Sequence, residues 1–352
     1  MDLYRACKRA RVLEPSLVEE LRKELEEVKP LKAVLNAEFI ASNQADRADN
    51  VFAGTNLECV EQLRRDMQAM KERCEKVVVL WTANTEQMAE NIETVEELER
   101  RIAQNEPLPA SVLYCYSAVQ EGLVYLNGSP QNTFHPALLS LAKQHRAFLG
   151  GSDFKSGQTR LKTCLGDFLI GSGLKLAAVV SYNHLGNNDG KNLQEDKCFQ
   201  SKRISKASVL EDAILSNPVL YPQGNDIDHE VVIKYVPFVG DSKRALDEYS
   251  SLIFMNGVHT IASYNVCEDS LLAVPLMIDL VILAEFCTRV QIDGDNLGPV
   301  LSYLSFFFKA PSTNHQEYVV NSFARQRATL TNFLKLTAGY MPDDSSLLGF
   351  KF

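Results

Sequence analysis

The sequence lacks three things: an excess of basic residues, paired cysteines and long apolar runs. Its 36 Lys and Arg residues are outnumbered by 45 Asp and Glu residues, and the net charge of −9 argues against a nucleic-acid-binding surface. The eight cysteines lie far apart without a CxxC pair, so their spacing predicts neither a metal site nor a disulfide framework. Thiols of this kind fit a reducing, cytoplasmic compartment.

The apolar segments are too short to predict a membrane span. Residues 271–286 form the best candidate, but Pro275, Asp279 and Glu285 interrupt them, so we predict a buried core helix there. Residues 1–11 are polar and basic, which is not typical of a signal peptide. At 352 residues and 45% hydrophobic content, the chain is long enough for two domains with cores of their own.

A glycine-rich loop for a nucleotide pyrophosphate is also missing. Gly171 and Gly173 give G-x-G, but Leu176 stands where a third glycine belongs, and the pair closes a predicted helix instead of following a strand. The segment GSDFKSG is not a phosphate-binding P-loop, because Gln158 stands where such a loop needs Lys. We therefore expect no pyrophosphate-binding loop in this chain.

The sequence does contain alternating strand-like and helix-like segments, which predict an α/β fold. Residues 34–35 and 76–81 resemble parallel strands, and residues 58–72 between them have helical periodicity. We expect a capped surface helix at 15–29 and a linker at 195–198. Further on, the pattern predicts a mixed sheet, a loop and C-terminal helices: helices 157–170 and 243–255, strands 174–182, 228–238 and 258–265, loop 222–228, and helices near 297–308 and 318–337.

The segment SYNHLGNNDGKN, residues 181–192, is the most informative part of the chain. An apolar run ends there in a burst of Asn, His, Gly and Asp, as when a buried strand delivers its carboxyl end into a ligand site. Many amide groups and few charges suit a ligand with many hydroxyl groups. The same residues are typical of a solvated turn, and this segment alone leaves both interpretations open.

Four lysines occur in contexts that suggest a site. Lys202 and Lys206 are spaced to share one helix face, Lys243 follows Gly-Asp-Ser at a predicted helix start, and Lys309 follows three phenylalanines. Paired lysines are more often a solvated face, and a lysine beside apolar residues can simply extend its ammonium group to water.

Seven ordered motifs carry a resemblance to a known family: LNGSPQNT, FKSGQT, SYNHLGNNDG, SKRISK, VGDSKRALDEY, NVCEDSLLA and FKAP. On these motifs the chain resembles the inositol-3-phosphate synthase family, also called myo-inositol-1-phosphate synthase, from about residue 3 to about residue 335. Family members carry earlier Rossmann strands and a glycine-rich loop ahead of the point where Met1 falls, so we expect an N-terminally truncated member. Ser152 stands where the family usually has Asp.

The resemblance implies three regions. Residues 1–150 would be the later part of an NAD-binding Rossmann-type domain, and residues 151–290 an α+β catalytic and tetramerisation domain with a mixed sheet. Residues 291–352 would supply C-terminal helices that pack back on the Rossmann part.

The resemblance also implies an activity. It is the NAD-dependent isomerisation of D-glucose 6-phosphate to 1D-myo-inositol 3-phosphate, by oxidation, intramolecular aldol cyclisation and reduction. This is the first step of inositol and phosphatidylinositol biosynthesis, carried out in the cytoplasm by a homotetramer, with no nucleic-acid or membrane partner. The alternative is a catalytically silent subunit that associates with full-length synthase.

The site residues follow from the same resemblance. The implied catalytic residues are Lys202, Lys206, Lys243, Lys309, Asp153 and Asp269. Those implied to bind substrate are Ser156, Asn183, Asn187, Asp189 and Lys206. Those implied to contact NAD are Gln44, Arg47, Thr82, Ala83, Asn84, Thr85, Gly128, Ser129, Asp153, Ser156, Asn187, Asn188, Asp189, Asp241, Asp269 and Ser270.

Some of these residues have a simpler explanation, which the sequence leaves open. Asp153, Asp189 and Asp269 adjoin turns where a carboxylate commonly caps a helix. Capping alone would also account for Asp241 and Ser270.

Overall fold

A computed structural model describes residues 1–224, 227–312 and 320–343. The α-helices are α1 (Leu3–Ala10), α2 (Pro15–Glu20), α3 (Arg22–Glu27), α4 (Asn56–Lys71), α5 (Val95–Ala103), α6 (Ala110–Gln120), α7 (Pro136–His145), α8 (Gly157–Gly171), α9 (Asn188–Asn192), α10 (Asp196–Ala207), α11 (Glu211–Leu215), α12 (Asp269–Cys287) and α13 (Phe323–Thr337). The strands are β1 (Val78–Trp81), β2 (Val124–Asn127), β3 (Phe148–Gly151), β4 (Lys175–Leu185), β5 (Asp228–Tyr235), β6 (Ser242–Leu252), β7 (Val258–Glu268), β8 (Gln291–Ile292) and β9 (Asp295–Asn296).

The N-terminal region agrees with the sequence in part. Helix α4 confirms the helix predicted at 58–72, and it begins where it does because Thr55 and Glu58 form a capping box. The single helix predicted at 15–29 is wrong, since α2 and α3 meet at Leu21 and the residue preceding α2 makes no capping hydrogen bond. Residues 34–35 are not a strand, and their neighbour Ala33 forms only an isolated bridge with Val51.

Strands β1, β2 and β3 form a parallel sheet in that order. Every side chain of β2 is buried, and successive residues face opposite cores, as expected for a strand covered on both sides. Tyr125 packs in the core beneath α4, α5, α6 and α7. Val124 and Leu126 pack with α12, α13 and the 3₁₀ helix Ser302–Phe307, as predicted for the C-terminal helices.

The buried Lys155 also ties the C-terminal region to the rest of the chain. Its Nζ donates to Gln326 Oε1 at 2.6 Å and to Asn321 Oδ1 at 3.1 Å. The predicted helix at 318–337 is confirmed as α13 where the structure describes it, and residues 313–319 and 344–352 lie outside the described residues.

The second sheet is mixed, as predicted. The structure gives its strand order as β5-β4-β6-β7. Strands β4 and β5 run parallel, whereas β6 is antiparallel to both β4 and β7. The helix predicted at 243–255 is wrong, because this segment is β6. Its buried side chains include Asp247 and Ser251 beside Ala245 and Tyr249, so the period of two that marks a strand is hidden in the hydrophobic pattern.

Within the part of the chain that the structure describes, only one face of the mixed sheet is covered. Helix α8 and residues 209–221 pack on that face around Val179 and Tyr249. On the opposite face a row of apolar side chains crosses the sheet in register, with exposed fractions between 42% and 66%: Val232, Tyr182, Leu246 and Tyr264.

Helix α12 is not the buried core helix that the sequence predicted. Its buried side chains form a narrow stripe, whereas Ile278 and Ile282 are 55% and 59% exposed. By length and composition α12 could cross a membrane, but that stripe packs against the 3₁₀ helix Ser302–Phe307 and α13. The helix is therefore part of the fold, and its apolar outer face is unusual for a protein surface.

Two predicted connections lie near the mixed sheet. The linker predicted at 195–198 is wrong, because α10 begins at Asp196 and Glu195 accepts a hydrogen bond from the backbone N–H of Ser42 at 2.6 Å. The loop predicted at 222–228 is described except for residues 225–226, and strand β5 already begins at Asp228.

Candidate active site

The polar segments that follow β1, β2, β3 and β4 meet at the carboxyl ends of those strands, around a cavity of about 270 Å³. Ligand sites of open α/β sheets lie at such strand ends. Most of the predicted site residues line this cavity: Thr82, Ala83, Asn84, Thr85, Gly128, Ser129, Asp153, Ser156, Asn187, Asp189, Lys202, Lys206, Lys243, Asp269, Ser270 and Lys309.

Asp153 is the centre of the charged cluster. It is 2% exposed, and its Oδ1 accepts hydrogen bonds from Lys202 Nζ at 3.0 Å and from Lys309 Nζ at 3.1 Å. Its Oδ2 accepts from Ser205 Oγ at 2.7 Å. Burial alone would raise the pKa of this carboxyl, but the two ammonium groups and the hydroxyl outweigh burial and lower it. Asp153 is therefore a fixed anion, and it caps no helix.

The two lysines that share Asp153 differ in their surroundings. Burial lowers the pKa of Lys309 to about 8, because the charges of Lys202 and Lys243 add to burial and outweigh the attraction of Asp153. Burial acts on Lys202 too, but Asp153 and Asp189 together raise its pKa. Lys309 can therefore gain or lose a proton near neutral pH, whereas Lys202 keeps its charge.

Lys206 lies one helical turn after Lys202 and is 4% exposed. Its Nζ donates to Asn183 Oδ1 at 2.9 Å, and no carboxylate in the described residues forms an ion pair with it. Burial lowers its pKa well below the usual value, and the charges of Lys243 and three other lysines lower it further. An anion bound next to Lys206 would therefore stabilise the charged form of this lysine and offset the repulsion from the neighbouring lysines.

Lys243 approaches the cavity from the start of β6, not from the helix start that the sequence predicted. Its Nζ lies 3.8 Å from Asp269 Oδ2, and this neighbouring ammonium lowers the pKa of Asp269. Asp241 does not line this cavity, nor the second cavity described below. Its carboxylate accepts from the backbone N–H and the hydroxyl of Ser270, which is the capping role that the sequence left open.

Asp189 joins the two sheets at the cavity. Its Oδ1 accepts from the backbone N–H of Thr85 at 2.8 Å, and its Oδ2 accepts from the Thr85 hydroxyl at 3.0 Å. Asn187 caps α9 through the backbone N–H of Gly190. The loop after β1 and the loop after β4 therefore hold each other in place.

A second cavity of about 450 Å³ adjoins the first, and both are lined by Ala83 and Asn84. Gln44 lies in the second cavity, where its Oε1 accepts from Asn84 Nδ2 at 3.1 Å and from Asn188 Nδ2 at 2.8 Å. Arg47, another predicted cofactor residue, also lines it. The predicted NAD contacts are thus divided between two joined cavities.

The residues of the two cavities fit a dinucleotide such as NAD. Trp81 Nε1 and Asn188 Oδ1 are buried without a hydrogen-bond partner among the described residues, and both residues line the larger cavity. A buried donor and acceptor left unpaired cost free energy unless a ligand pairs with them. Arg47 supplies positive charge to the same cavity, which suits the negatively charged part of the ligand.

Sequence reasoning missed several residues of the smaller cavity. They are mostly apolar or uncharged wall residues: Phe154, Thr159, Leu185, Ile233, Ala273, Val274 and Met277. Ala273 and Met277 follow Ser270 at helical spacing, so this face of α12 forms one wall of the cavity. In the sequence the same spacing is typical of any apolar helix face, and it does not indicate a site. Sequence reasoning also missed Ser205, which does not line the cavity but donates to Asp153 from beneath it; its only sequence signal is that it lies between two predicted site lysines on α10.

The parallel sheet, the joined cavities and the lysine–carboxylate cluster define an α/β enzyme with a site for a nucleotide. Residues 1–335 match the model of an NAD-binding family described as myo-inositol-1-phosphate synthase. The chain belongs to this family, as its motifs suggested.

Two curated relatives carry the same assignment over the whole chain. The chain is 47% identical to inositol-3-phosphate synthase 1 of Oryza sativa subsp. japonica and 49% identical to that of Homo sapiens, in each case over 100% of its own length. It spans 72% of the length of the first and 65% of the second.

Solved structures agree with the fold. The crystal structure of inositol-3-phosphate synthase from Caenorhabditis elegans matches with a TM-score of 0.94 and 46% identity, covering 99% of this chain and 71% of that one. A myo-inositol-1-phosphate synthase-related protein from Thermotoga maritima matches with a TM-score of 0.72 and 21% identity, covering 94% of this chain and 83% of that one. The second match shows the fold alone.

Proposed function

We propose that this chain converts D-glucose 6-phosphate into 1D-myo-inositol 3-phosphate, with NAD as a cofactor that is used and regenerated. The observation that carries the proposal is the group of lysines in one cavity: Lys202 and Lys309 share Asp153, while Lys206 lies buried beside them without a carboxylate. Such a cluster suits a phosphorylated sugar whose oxygen atoms become negatively charged during the reaction.

Bound NAD supplies reversible acceptance of a hydride from the sugar carbon that becomes a ketone. The protein must then manage protons and oxygen charge. Lys202 and Lys309 hold ammonium groups next to Asp153, where a sugar hydroxyl or carbonyl oxygen can accept hydrogen bonds from them. With a pKa of about 8, Lys309 is suited to carry a proton to and from that oxygen.

Ring closure is an internal aldol reaction. A proton leaves carbon 6, the electron pair of that C–H bond forms a new bond to carbon 1, and the carbon 1 aldehyde oxygen takes up a proton. The lysine ammonium groups of the cavity stabilise the enolate oxygen and then the new alkoxide. After the ketone is reduced, the atoms and electrons of product and substrate are the same, so the overall reaction is an isomerisation.

Substrate binding is assigned to the mixed-sheet side of the cavity. Lys206 and Lys243 meet the phosphate and neighbouring hydroxyls, and Ser156, Asn187 and the loop fixed by Asp189 complete the set. Asn183 does not line the cavity and acts by orienting Lys206. The NAD contacts are assigned to residues 82–85, 128–129 and the larger cavity.

We also propose a homo-oligomer, a tetramer by analogy with the family, whose interface includes the open face of the mixed sheet. The row Val232, Tyr182, Leu246 and Tyr264 is apolar and continuous across all four strands. Apolar surfaces of this kind are usually covered in stable proteins. No segment of the described residues packs on this face of the sheet, so a second subunit is the proposed cover. The eight free cysteines support a cytoplasmic location.

The regions proposed for the chain are a Rossmann-type part over 1–150, a catalytic and oligomerisation part over 151–290 and a returning C-terminal part over 291–352. Separate cores on the two sheets support the first two parts, whereas a third core joins β2 to α12 and to the returning C-terminal part.

The purified chain, incubated with glucose 6-phosphate and NAD, is expected to form inositol phosphate. Lys309→Met should lower kcat by about 10²–10³-fold, the usual effect of losing a donor to a developing oxyanion. Asp153 keeps Lys202 and Ser205 as partners in this variant, so the chain should still fold. Lys335→Met, which removes a lysine paired with Asp343 on the surface, is the matched control.

Product formed only after a full-length synthase is added would favour the silent-subunit alternative instead. Equal activity of the Lys309→Met and Lys335→Met variants would contradict the assignment of the lysine cluster.

A further inference from the structure

A second layer of polar side chains lies beneath the cavity and has no role in the proposed reaction. Lys162, on α8, is 2% exposed, and its Nζ donates to Ser181 Oγ at 2.8 Å. The same Nζ lies 3.0 Å from His229 Nε2. None of these three residues lines the cavity. Residues 1–224, 227–312 and 320–343 supply no ion-pair partner to Lys162, and a buried lysine without one is costly, so its presence calls for an explanation.

The protonation of His229 follows from its two neighbours. An ammonium group can only donate, so Nε2 accepts from Lys162, and the ring proton resides on Nδ1. The backbone of Ala207 lies close to the ring and opposes the lowering of the pKa of His229. Burial and the charges of Lys162 and Lys206 lower the pKa of His229 to about 3, so the ring is neutral at working pH. The neutral His229 ring therefore lies between Lys162 on α8 and the last residue of α10.

Lys206 is held from both of its ends by this layer. Its backbone is followed directly by Ala207, which His229 contacts. Its Nζ donates to Asn183, which lies on β4 two residues after Ser181 and therefore on the same face of the sheet. The Asn183 amide donates to the Ser181 and Val232 carbonyls, so its oxygen must face Lys206. Lys162 contacts both supports, Ser181 and His229.

The charge of Lys162 is balanced at a distance. Asp247, on β6, is fully buried, and both of its carboxylate oxygens accept from Gln158 Nε2, at 2.8 and 3.0 Å. Gln158 and Lys162 are spaced four apart on α8, so they share one helix face over the sheet. Asp247 therefore supplies negative charge to the same buried layer, and its attraction opposes the burial that lowers the pKa of Lys162.

We propose that Lys162 and His229 are positioning residues for Lys206: together they fix the place and direction of its ammonium group against the substrate. This inference rests on the proposed function, in which Lys206 meets the phosphate and neighbouring hydroxyls. Neither residue touches the substrate, so both act only through Lys206.

Steady-state kinetics of a double-mutant cycle test the inference. Lys162→Met and His229→Leu should each lower kcat/KM for glucose 6-phosphate by about 10–100-fold, the scale of a misplaced binding group. The loss should appear mainly in KM for glucose 6-phosphate, and KM for NAD should stay within about two-fold, because Lys206 does not line the larger cavity assigned to NAD. Lys162→Arg and His229→Gln keep a donor and an acceptor, respectively, and should recover most of the activity.

The decisive measurement is made in the Lys206→Met background. If Lys162 acts through Lys206, then Lys162→Met should have almost no further effect there, within about two-fold. Lys143→Met, at an exposed position of α7, is the control for a general effect of losing a lysine. Cooperative thermal melting checks that each variant folds, and Lys162→Gln replaces Lys162→Met if the latter does not fold.

Three results would overturn the inference while leaving the proposed function intact. They are an active wild-type chain with unaffected Lys162 and His229 variants, an undiminished effect of Lys162→Met in the Lys206→Met background, and an equal rise in KM for NAD. A purified wild-type chain that forms no product from glucose 6-phosphate and NAD would instead refute the proposed function and this inference with it.

Discussion

The two sheets of this molecule solve the problem of burial differently. The parallel sheet is covered on both faces, and every residue of β2 is buried. The mixed sheet is longer, is covered on one face, and leaves Tyr182 and Leu246 exposed on the other. The chain therefore covers both faces of β2 by itself, whereas the open face of the mixed sheet is the one that we propose a second subunit covers.

The largest expected difference between the sheets concerns the stability of the single chain. Leu126→Ala removes a fully buried side chain of β2 and should lower the free energy of unfolding by about 2–5 kcal/mol. Leu246→Ala removes a side chain that is 42% exposed and should cost less than about 0.5 kcal/mol in a dilute, unassociated chain. Urea unfolding of both variants measures the contrast, and equal losses would contradict it.

A pH experiment sharpens the comparison, because Glu86 follows the parallel sheet without a cationic partner. Burial raises its pKa from 4.5 to about 7, although hydrogen bonds from Ser111 oppose this. Between these two values the folded chain binds more protons than the unfolded chain, so stability falls as pH rises through this window. The total loss is roughly 3 kcal/mol, at 1.36 kcal/mol for each pH unit.

Glu86→Gln should flatten this dependence, and Glu90→Gln, at an exposed position on the same loop, should not. Urea unfolding at pH 5, 6, 7 and 8 gives the slope for each variant. A slope that is the same in wild type and Glu86→Gln would mean that Glu86 is not the titrating group.

The smallest expected effect is on association. Tyr182→Glu places a charge in the middle of the open sheet face and should weaken self-association by at least about ten-fold, or 1.4 kcal/mol. Leu57→Glu, on the helix layer over the parallel sheet, is the matched control because Leu57 has a similar exposed fraction, 48% against 47%. Sedimentation velocity over a range of concentrations measures both. Association that is lost equally in both variants would argue against a specific interface.

Much of this architecture could be predicted from the sequence. The strands at 174–182, 228–238 and 258–265 were predicted because their apolar residues are frequent and their ends are polar. The parallel strand at 76–81 was likewise predicted, and it is followed by the loop that Asp189 holds.

The failures each have a physical cause. β6 buries Asp247 and Ser251 on its covered face and exposes Leu246 on its open face, so its hydrophobic pattern indicates neither burial nor a strand. α12 has apolar residues on all of its sides, which is typical of a core helix, but much of that surface is exposed in the single chain. For β6 the missing information is the pairing of a buried carboxylate with Gln158, and for α12 it is which side of the helix the chain itself covers.

The candidate site was predictable only where a motif was present. The motifs lead to Lys202, Lys206, Lys243 and Lys309, and the structure places all four around one cavity. They do not lead to Lys162, because a lone lysine on a helix resembles a solvated surface residue until its burial is known.

Through helix α12, the homo-oligomer proposed above would link activity to protein concentration. One end of this helix, at Asp269 and Ala273, forms part of the catalytic cavity wall, while Ile278 and Ile282 further along it project outward. A neighbouring subunit that settles on the outward side would steady the wall, and its departure would release it. Turnover per chain should therefore decline on dilution before any strand or helix unfolds, because the outward side of α12 loses the contacts that hold the cavity wall in place.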